Sequence, residues 1–301
     1  EPIRLGRVFR GMRSIFRRTQ GSALLLAFAS LSLAGCASLL SSAASGLADN
    51  LSSAILNQDD PETVRACAPS YMLLLDSFLE GDPDNPELLA SAATLYASYG
   101  AVFADDPVRA SRLTTRARNY AQEAMCESYA ASCAWPDANY DEFVATLDGV
   151  TARHSEYLYA YGFATLAYLR AHSDDWNSLA ELPQVEALFN RYIEIAGDEV
   201  DGTVHTYMGI LLTLRPPSLG GKPEEAREHF EKAIAMSDGR DLSAKVEYAK
   251  GYAKLLYERD LHDRLLGEVI DASPYADGLT LSTVMAKEEA EQLLAEADDY
   301  F

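Results

Sequence analysis

Cations are scarce in this sequence. Lys and Arg number 25 against 46 Asp and Glu, a formal net charge of −21 over 301 residues. Phosphate backbones need a basic face, so the deficit argues against nucleic acid as a partner. Cysteine is also sparse, at four, and no C-x-x-C occurs, which removes zinc ribbons and thioredoxin-like redox sites. None of the five histidines (His154, His172, His205, His229, His262) has another three or four residues away, so no helical metal pair is present. G-x-S-x-G, P-loop and G-x-G-x-x-G motifs are missing as well. No alternating run of β-branched residues marks a strand. What remains is 48% hydrophobic and 24% charged, a globular composition with length for a sizeable core.

The N-terminus departs from the acidic rule. Six arginines (Arg4, Arg7, Arg10, Arg13, Arg17, Arg18) precede an apolar stretch from Ala23 to Leu33, and small residues follow as Leu33-Ala34-Gly35-Cys36. Eleven residues make a helix of only about 16 Å, short of the ~30 Å hydrocarbon core of a bilayer. A basic n-region, a short apolar h-region and small residues at a cut site form a secretory signal. The LAGC ending resembles the lipobox of bacterial lipoproteins, which implies cleavage before Cys36 and acylation of that cysteine. Residues 1–35 are then the signal peptide, with Met12 a fitting start and 1–11 an upstream over-read. Ala37, rather than Asp, implies by the same resemblance the inner leaflet of the outer membrane. Residues 37–58 are rich in Ser, Ala and Leu; they read equally as a tether or as a short amphipathic helix docked on the body.

A periplasmic setting permits disulfides. Cys126 and Cys133 are close in sequence, just before Trp135-Pro136. They form a local bridge that leaves Cys67 free, or else all three are buried thiols.

From residue 61 onward, apolar residues recur at three and four spacing. Asp60-Pro61-Glu62, Asn85-Pro86-Glu87 and Asp106-Pro107 each place an N-cap side chain before a proline at the first helical position. About eleven helices are expected, near 61–80, 86–103, 107–131, 137–148, 155–171, 183–196, 202–213, 223–236, 242–257, 260–271 and 281–299. The fold class is all-α, a degenerate bundle of helical hairpins like tetratricopeptide (TPR) repeats over 61–301, behind a lipidated tether at 36–60. Ala226, Phe230 and Ala233 carry the second-helix spacing of such a repeat, with Tyr207 and Gly209 on the partner helix. Ala117, Ala121 and Ala124 form a weaker copy, in which alanine replaces the middle aromatic. Because the 34-residue period is not kept, a compact bundle is expected rather than an open superhelix.

Candidate chemistry is thin. Gly81 to Glu87 is acidic but lacks the glycine and distal glutamate of an EF-hand, so it reads as a turn and a cap. The many carboxylates read as solvated surface and caps. No general acid, nucleophile, metal or cofactor is nominated. Tyrosine is abundant at 17. Helical tyrosines such as Tyr96, Tyr99, Tyr157, Tyr159, Tyr161, Tyr248, Tyr252 and Tyr257 read as core before they read as a ligand groove.

The loop between the paired helices, Leu214 to Lys222, is the most distinctive segment. Pro216 and Pro217 fix an extended backbone, and Gly220 and Gly221 allow a reversal. Arg215, a rare cation there, is expected to pair with a carboxylate inside the chain rather than with a partner. The run Arg215-Pro216-Pro217-Ser218-Leu219-Gly220-Gly221 leading into Ala226, His229, Phe230 and Ala233 resembles the T-component family of tripartite ATP-independent periplasmic (TRAP) transporters. The lipobox, Gly81 to Leu89, Tyr96, Tyr99, Phe103 and Leu293 to Phe301 carry the resemblance further. It implies a non-catalytic lipoprotein that docks the transporter's periplasmic solute-binding protein. It also implies a homotrimer and a hydrophobic or organic-acid ligand bound or passed on. The rivals are a general TPR scaffold in envelope or outer-membrane assembly and an enzyme with an unrecognised carboxylate site.

Overall fold

A computed structural model describes Leu51 and residues 53–301. Cys36, the signal at 1–35 and most of the tether lie outside the described residues. In the tether only Leu51 and residues 53–56 are described as helical.

All three Asx-Pro signals start helices. Asp60 accepts from the Glu62 N–H ahead of α1 (Pro61–Gly81). Asn85 accepts from Glu87 and Leu88 ahead of α2 (Pro86–Val102). Asp106 accepts from Arg109 at 2.7 Å ahead of α3 (Pro107–Ser128). Each cap satisfies amide groups that have no partner in the first turn. The chain continues through α4 (Tyr140–Leu147), α5 (Ser155–Ala171), α6 (Trp176–Leu179), α7 (Leu182–Ala196), α8 (Gly202–Thr213), α9 (Pro223–Met236) and α10 (Leu242–Glu247). It ends with α11 (Arg259–Asp271), α12 (Thr280–Ala295) and α13 (Ala297–Tyr300). Among the described residues there is no strand, so the protein is all-α.

The boundaries differ from expectation where local chemistry intervenes. The helix expected over 107–131 stops at Ser128, because Tyr129 is extended and its hydroxyl donates to the Thr146 carbonyl. A 3-10 segment, Ala130–Asp137, follows. It is closed by a disulfide between Cys126 and Cys133, whose Cα atoms lie 4.6 Å apart; Cys67 is a free, exposed thiol. The helix expected from 137 begins at Tyr140, where Asn139 and Glu142 form a capping box. Asp175 caps the unforeseen α6. The last expected helix, 281–299, is broken at Glu296 between α12 and α13.

Small residues set the closest helix contacts. Ala92, Ala93 and Ala97 of α2 are fully buried, as are Ala117, Ala121 and Ala124 of α3, and these two helices share the most extensive interface in the fold. Alanine in the middle of the weaker repeat copy thus fits: with small residues on both sides, no aromatic is needed to fill a gap. α5 packs on both α2 and α3, and α7 packs on α5. α8 and α9 form the second close pair. The helix expected over 242–257 holds a π-helical turn at Tyr248–Ala253. A partly exposed ion cluster links α5, α10 and α12: Glu247 accepts from Arg170 of α5 and pairs with Lys250, each at 3.1 Å, and Lys250 reaches Glu289 of α12 at 2.6 Å. Burial alone would raise the Glu247 carboxyl, but the two cations hold it below the usual carboxylate range.

Within residues 56–301 an early and a late helix meet. α12 touches α1, and the Gly278 N–H donates to Asn57 Oδ1 at 2.8 Å.

Candidate functional site

The loop 214–222 joins α8 to α9, the helices that carry the repeat residues. Phe230 is completely buried and stacks on Tyr248 with ring centroids 5.2 Å apart. Gly209 of α8 faces it: a Cβ there would lie 2.6 Å from two atoms of the Phe230 ring. Glycine at 209 therefore sets the distance at which α8 meets α9. Ala226 and Ala233, one turn either side of Phe230, are buried and let the backbones approach. Tyr207 points to a different neighbourhood. Its ring stacks on Phe163 at 5.1 Å and lies near Tyr159 and Phe189. Tyr207 is thus not a partner of Phe230; it belongs to a half-buried aromatic strip with Tyr159, Phe163 and Tyr192. Burial, with Tyr159 alongside, pushes the Tyr207 phenol far above its ordinary range.

The tyrosines divide between core and surface. Tyr96, Tyr99, Tyr161, Tyr248 and Tyr252 are buried, Tyr157 and Tyr159 are half-buried, and Tyr257 is 68% exposed.

The loop itself is a clamped knob. Leu219 and Gly221 N–H groups both donate to the Pro216 carbonyl, at 2.9 and 3.1 Å, and the Gly220 N–H donates to the Pro217 carbonyl. Gly220 adopts φ +89°, a left-handed conformation that side chains resist. Gly221 lies against the Arg215 carbonyl. The Lys222 N–H donates to the Leu212 carbonyl at 2.9 Å, and its ammonium pairs with Glu186 of α7 at 2.6 Å. Between these anchors Pro216, Pro217, Ser218 and Leu219 stand exposed, Leu219 at 47%.

Arg215 corrects an expectation. Among the described residues no carboxylate comes within ion-pair distance of it. Its guanidinium instead lies over Gly220, about 3.8 Å from where a Cβ would sit. Pro216 is extended, but Pro217–Leu219 form a 3-10 turn instead of continuing the extended backbone expected of both prolines, and the Arg215 side chain lies along this loop.

A second feature of this helix pair is not visible in sequence spacing. His205 of α8 and His229 of α9 meet with their Nδ1 atoms 2.8 Å apart. One ring must donate and the other accept, so the pair is stable only with both neutral or one charged. His205 is 2% exposed and its Nε2 has no hydrogen-bond partner. Burial, with Lys232 and His229 adding repulsion, pulls the His205 imidazole down to about 4, and burial lowers His229 too, against the pull of Glu225, Glu228 and Glu186. In the unfolded chain such a group protonates near pH 6.5. The unfolded state then binds the proton that the folded state refuses, so this contribution is complete above pH 6.5 and is lost as pH falls towards 4. Between pH 7 and pH 5, with His205 titrating at about 4 in the fold, the loss is about 2 kcal/mol. Asp241 and Glu123, raised by burial, pull the opposite way. Urea unfolding of the wild type and of His205→Leu at both pH values isolates the histidine: the variant should show a decline smaller by that amount.

No group of three or more His, Cys, Asp or Glu side chains converges as a metal site among the described residues, and none of their helices is long and apolar enough to cross a membrane. A search of curated proteins gives no match. The profile of the TRAP transporter T-component family, by contrast, matches residues 57–301, which span every helix from α1 to α13, the repeat pair and the clamped loop. The chain belongs to the TRAP transporter T-component family.

Proposed function

We propose that this accessory component is a non-catalytic, lipid-anchored periplasmic protein that docks the solute-binding protein of a TRAP transporter. In this reading the lipid sits on Cys36 in the inner leaflet of the outer membrane, and the protein assembles as a homotrimer. It also binds or passes on a hydrophobic or organic-acid ligand. The knob at 214–222 is the observation that supports docking best. It is held by backbone hydrogen bonds, exposes an apolar tip at Leu219 and carries an arginine that pairs with no carboxylate among the described residues. A preorganised apolar tip beside a cation loses little freedom on binding, and the cation selects an acidic patch on the partner.

Mild cross-linking of the lipidated protein in its own host, followed by capture and mass spectrometry, tests this directly. The expected result is recovery of a TRAP solute-binding protein, reduced at least tenfold for the pair Arg215→Ala and Leu219→Asp. Recovery of envelope-assembly proteins alone would sink the docking role and favour a general scaffold.

A further inference from the structure

A cavity of about 250 Å³ opens between α3, α5, α7 and the disulfide-closed segment Ala130–Asp137. Its floor is aromatic. Trp135 lies 4.8 Å from Phe143 and 5.6 Å from Tyr161, ring centre to ring centre. The Trp135 Nε1–H is already committed to Thr146 Oγ1 at 2.7 Å, so the indole offers the cavity its hydrocarbon surface. Val185 and Leu188 of α7 complete the apolar part.

The mouth is polar but electrically balanced. Arg118 of α3 meets Glu181, just before α7, in a two-pronged ion pair: Nη1 donates to Oε1 at 3.2 Å and Nη2 donates to Oε2. The Arg118 guanidinium is also stacked over the Tyr168 ring at 4.6 Å. These contacts fix the pair in place. A guanidinium has five N–H groups, and Glu181 uses two, so donors remain for a ligand carbonyl. The Glu181 carboxylate keeps lone pairs that can accept from a ligand N–H. Gln184 adds a carboxamide to the lining.

Charge decides what fits. A ligand carboxylate held equally close to both groups would be attracted by Arg118 and repelled to a similar extent by Glu181. It would then still have to shed its hydration, and nothing offsets that. An uncharged amide faces no such cost and can use Arg118 as donor and Glu181 as acceptor together. The volume exceeds the ~150 Å³ of an enclosed apolar cavity that holds benzene, which leaves room for one ring in this more open and more polar site.

We propose that this cavity binds a small uncharged molecule with an aromatic or alicyclic body and an amide-like donor–acceptor head, and that Glu181 rejects anions from it. The inference does not depend on docking; it assigns the ligand site of the functional reading and narrows the ligand to its uncharged class.

Benzamide and benzoate are suitable probes because they share a ring and differ in the charge of the head. Calorimetric titration of the isolated full chain is expected to show saturable benzamide binding and benzoate at least tenfold weaker. Glu181→Gln should bring benzoate up at least tenfold and reverse the preference. Emission locates the site: of the two tryptophans, Trp135 faces the cavity and Trp176 is 66% exposed, so in Trp176→Phe benzamide should shift the remaining signal. Four results would overturn the proposal: no saturation by either probe, benzoate binding the unaltered chain as tightly as benzamide, no change of preference in a folded Glu181→Gln, or binding that leaves Trp135 emission unmoved. Because no solute-binding protein is in the calorimeter cell, any of these leaves the docking test standing on its own.

Discussion

Phe230→Ala should lower the melting temperature by roughly 10 °C while leaving the chain folded at 25 °C. The ring is fully buried between α8, α9 and the π-helical turn. Deleting a buried phenyl costs about 3–5 kcal/mol when the surroundings cannot collapse, and each kcal/mol moves the midpoint of a body this long by roughly 2–4 °C. Collapse is blocked on one side by Gly209 and on another by Gly251, where a Cβ would meet Thr213 Oγ1 at 2.8 Å and the Phe230 ring at 3.7 Å. Glycine backbone of α8 and of the π-helical turn lines two sides of the hole, and the stacked Tyr248 ring lines another.

The same geometry fixes the sign of a second substitution. In the wild type, Gly209→Ala forces a methyl to within 2.6 Å of the ring, an overpacking worth about 1–3 kcal/mol against the helix. In a Phe230→Ala background that methyl enters the vacated space, and alanine gains about 1 kcal/mol of helix propensity over glycine. The double variant should therefore be no less stable than Phe230→Ala alone, a coupling of roughly 2 kcal/mol. Thermal unfolding of the four proteins measures it. Additive losses would mean that Phe230 and Gly209 do not define the helix contact.

How much of the fold and of the site is legible in the sequence depends on the range of the interaction. The three Asx-Pro caps act within four residues, and each starts a helix where its motif stands. The repeat spacing is legible because Ala226, Phe230 and Ala233 share one face of one helix. Tyr207 shows the limit. Its position on the partner helix is clear, yet its ring turns to α5 and α7, because α8 is buried on nearly every side and spacing does not choose among neighbours. The His205–His229 contact crosses between helices 24 residues apart, and the Arg118–Glu181 pair spans 63. Histidine spacing along one helix cannot reveal the first, and no motif describes the second. Arg215 escapes for a related reason: a count of nearby acids says nothing about the direction the side chain takes, and here it lies along the loop over Gly220.

Gly221→Ala should weaken docking at least tenfold and destabilise the protein by about 2 kcal/mol, whereas Gly220→Ala should cost only about 1 kcal/mol and keep most of the affinity. The order inverts what backbone conformation alone would give. Gly220 has the left-handed φ of +89°, and a side chain there is strained by handedness. Its added Cβ nevertheless finds only the Arg215 guanidinium, at 3.8 Å. At Gly221 an added Cβ would sit 1.8 Å from the Arg215 carbonyl oxygen and 2.7 Å from its carbon. That carbonyl cannot swing aside, because Pro216 and Pro217 have fixed φ and the Leu219 and Gly221 N–H groups are tied to Pro216. The clamp has to open instead, which breaks backbone hydrogen bonds worth about 1 kcal/mol each and moves Leu219 and Arg215 together. Leu219→Asp alone would alter the tip without opening the clamp, so it should lose affinity at unchanged stability. Urea unfolding and titration with the purified solute-binding protein separate the three variants. If Gly221→Ala binds as tightly as the wild type despite a measured loss of stability, a rigid loop is not what the partner recognises.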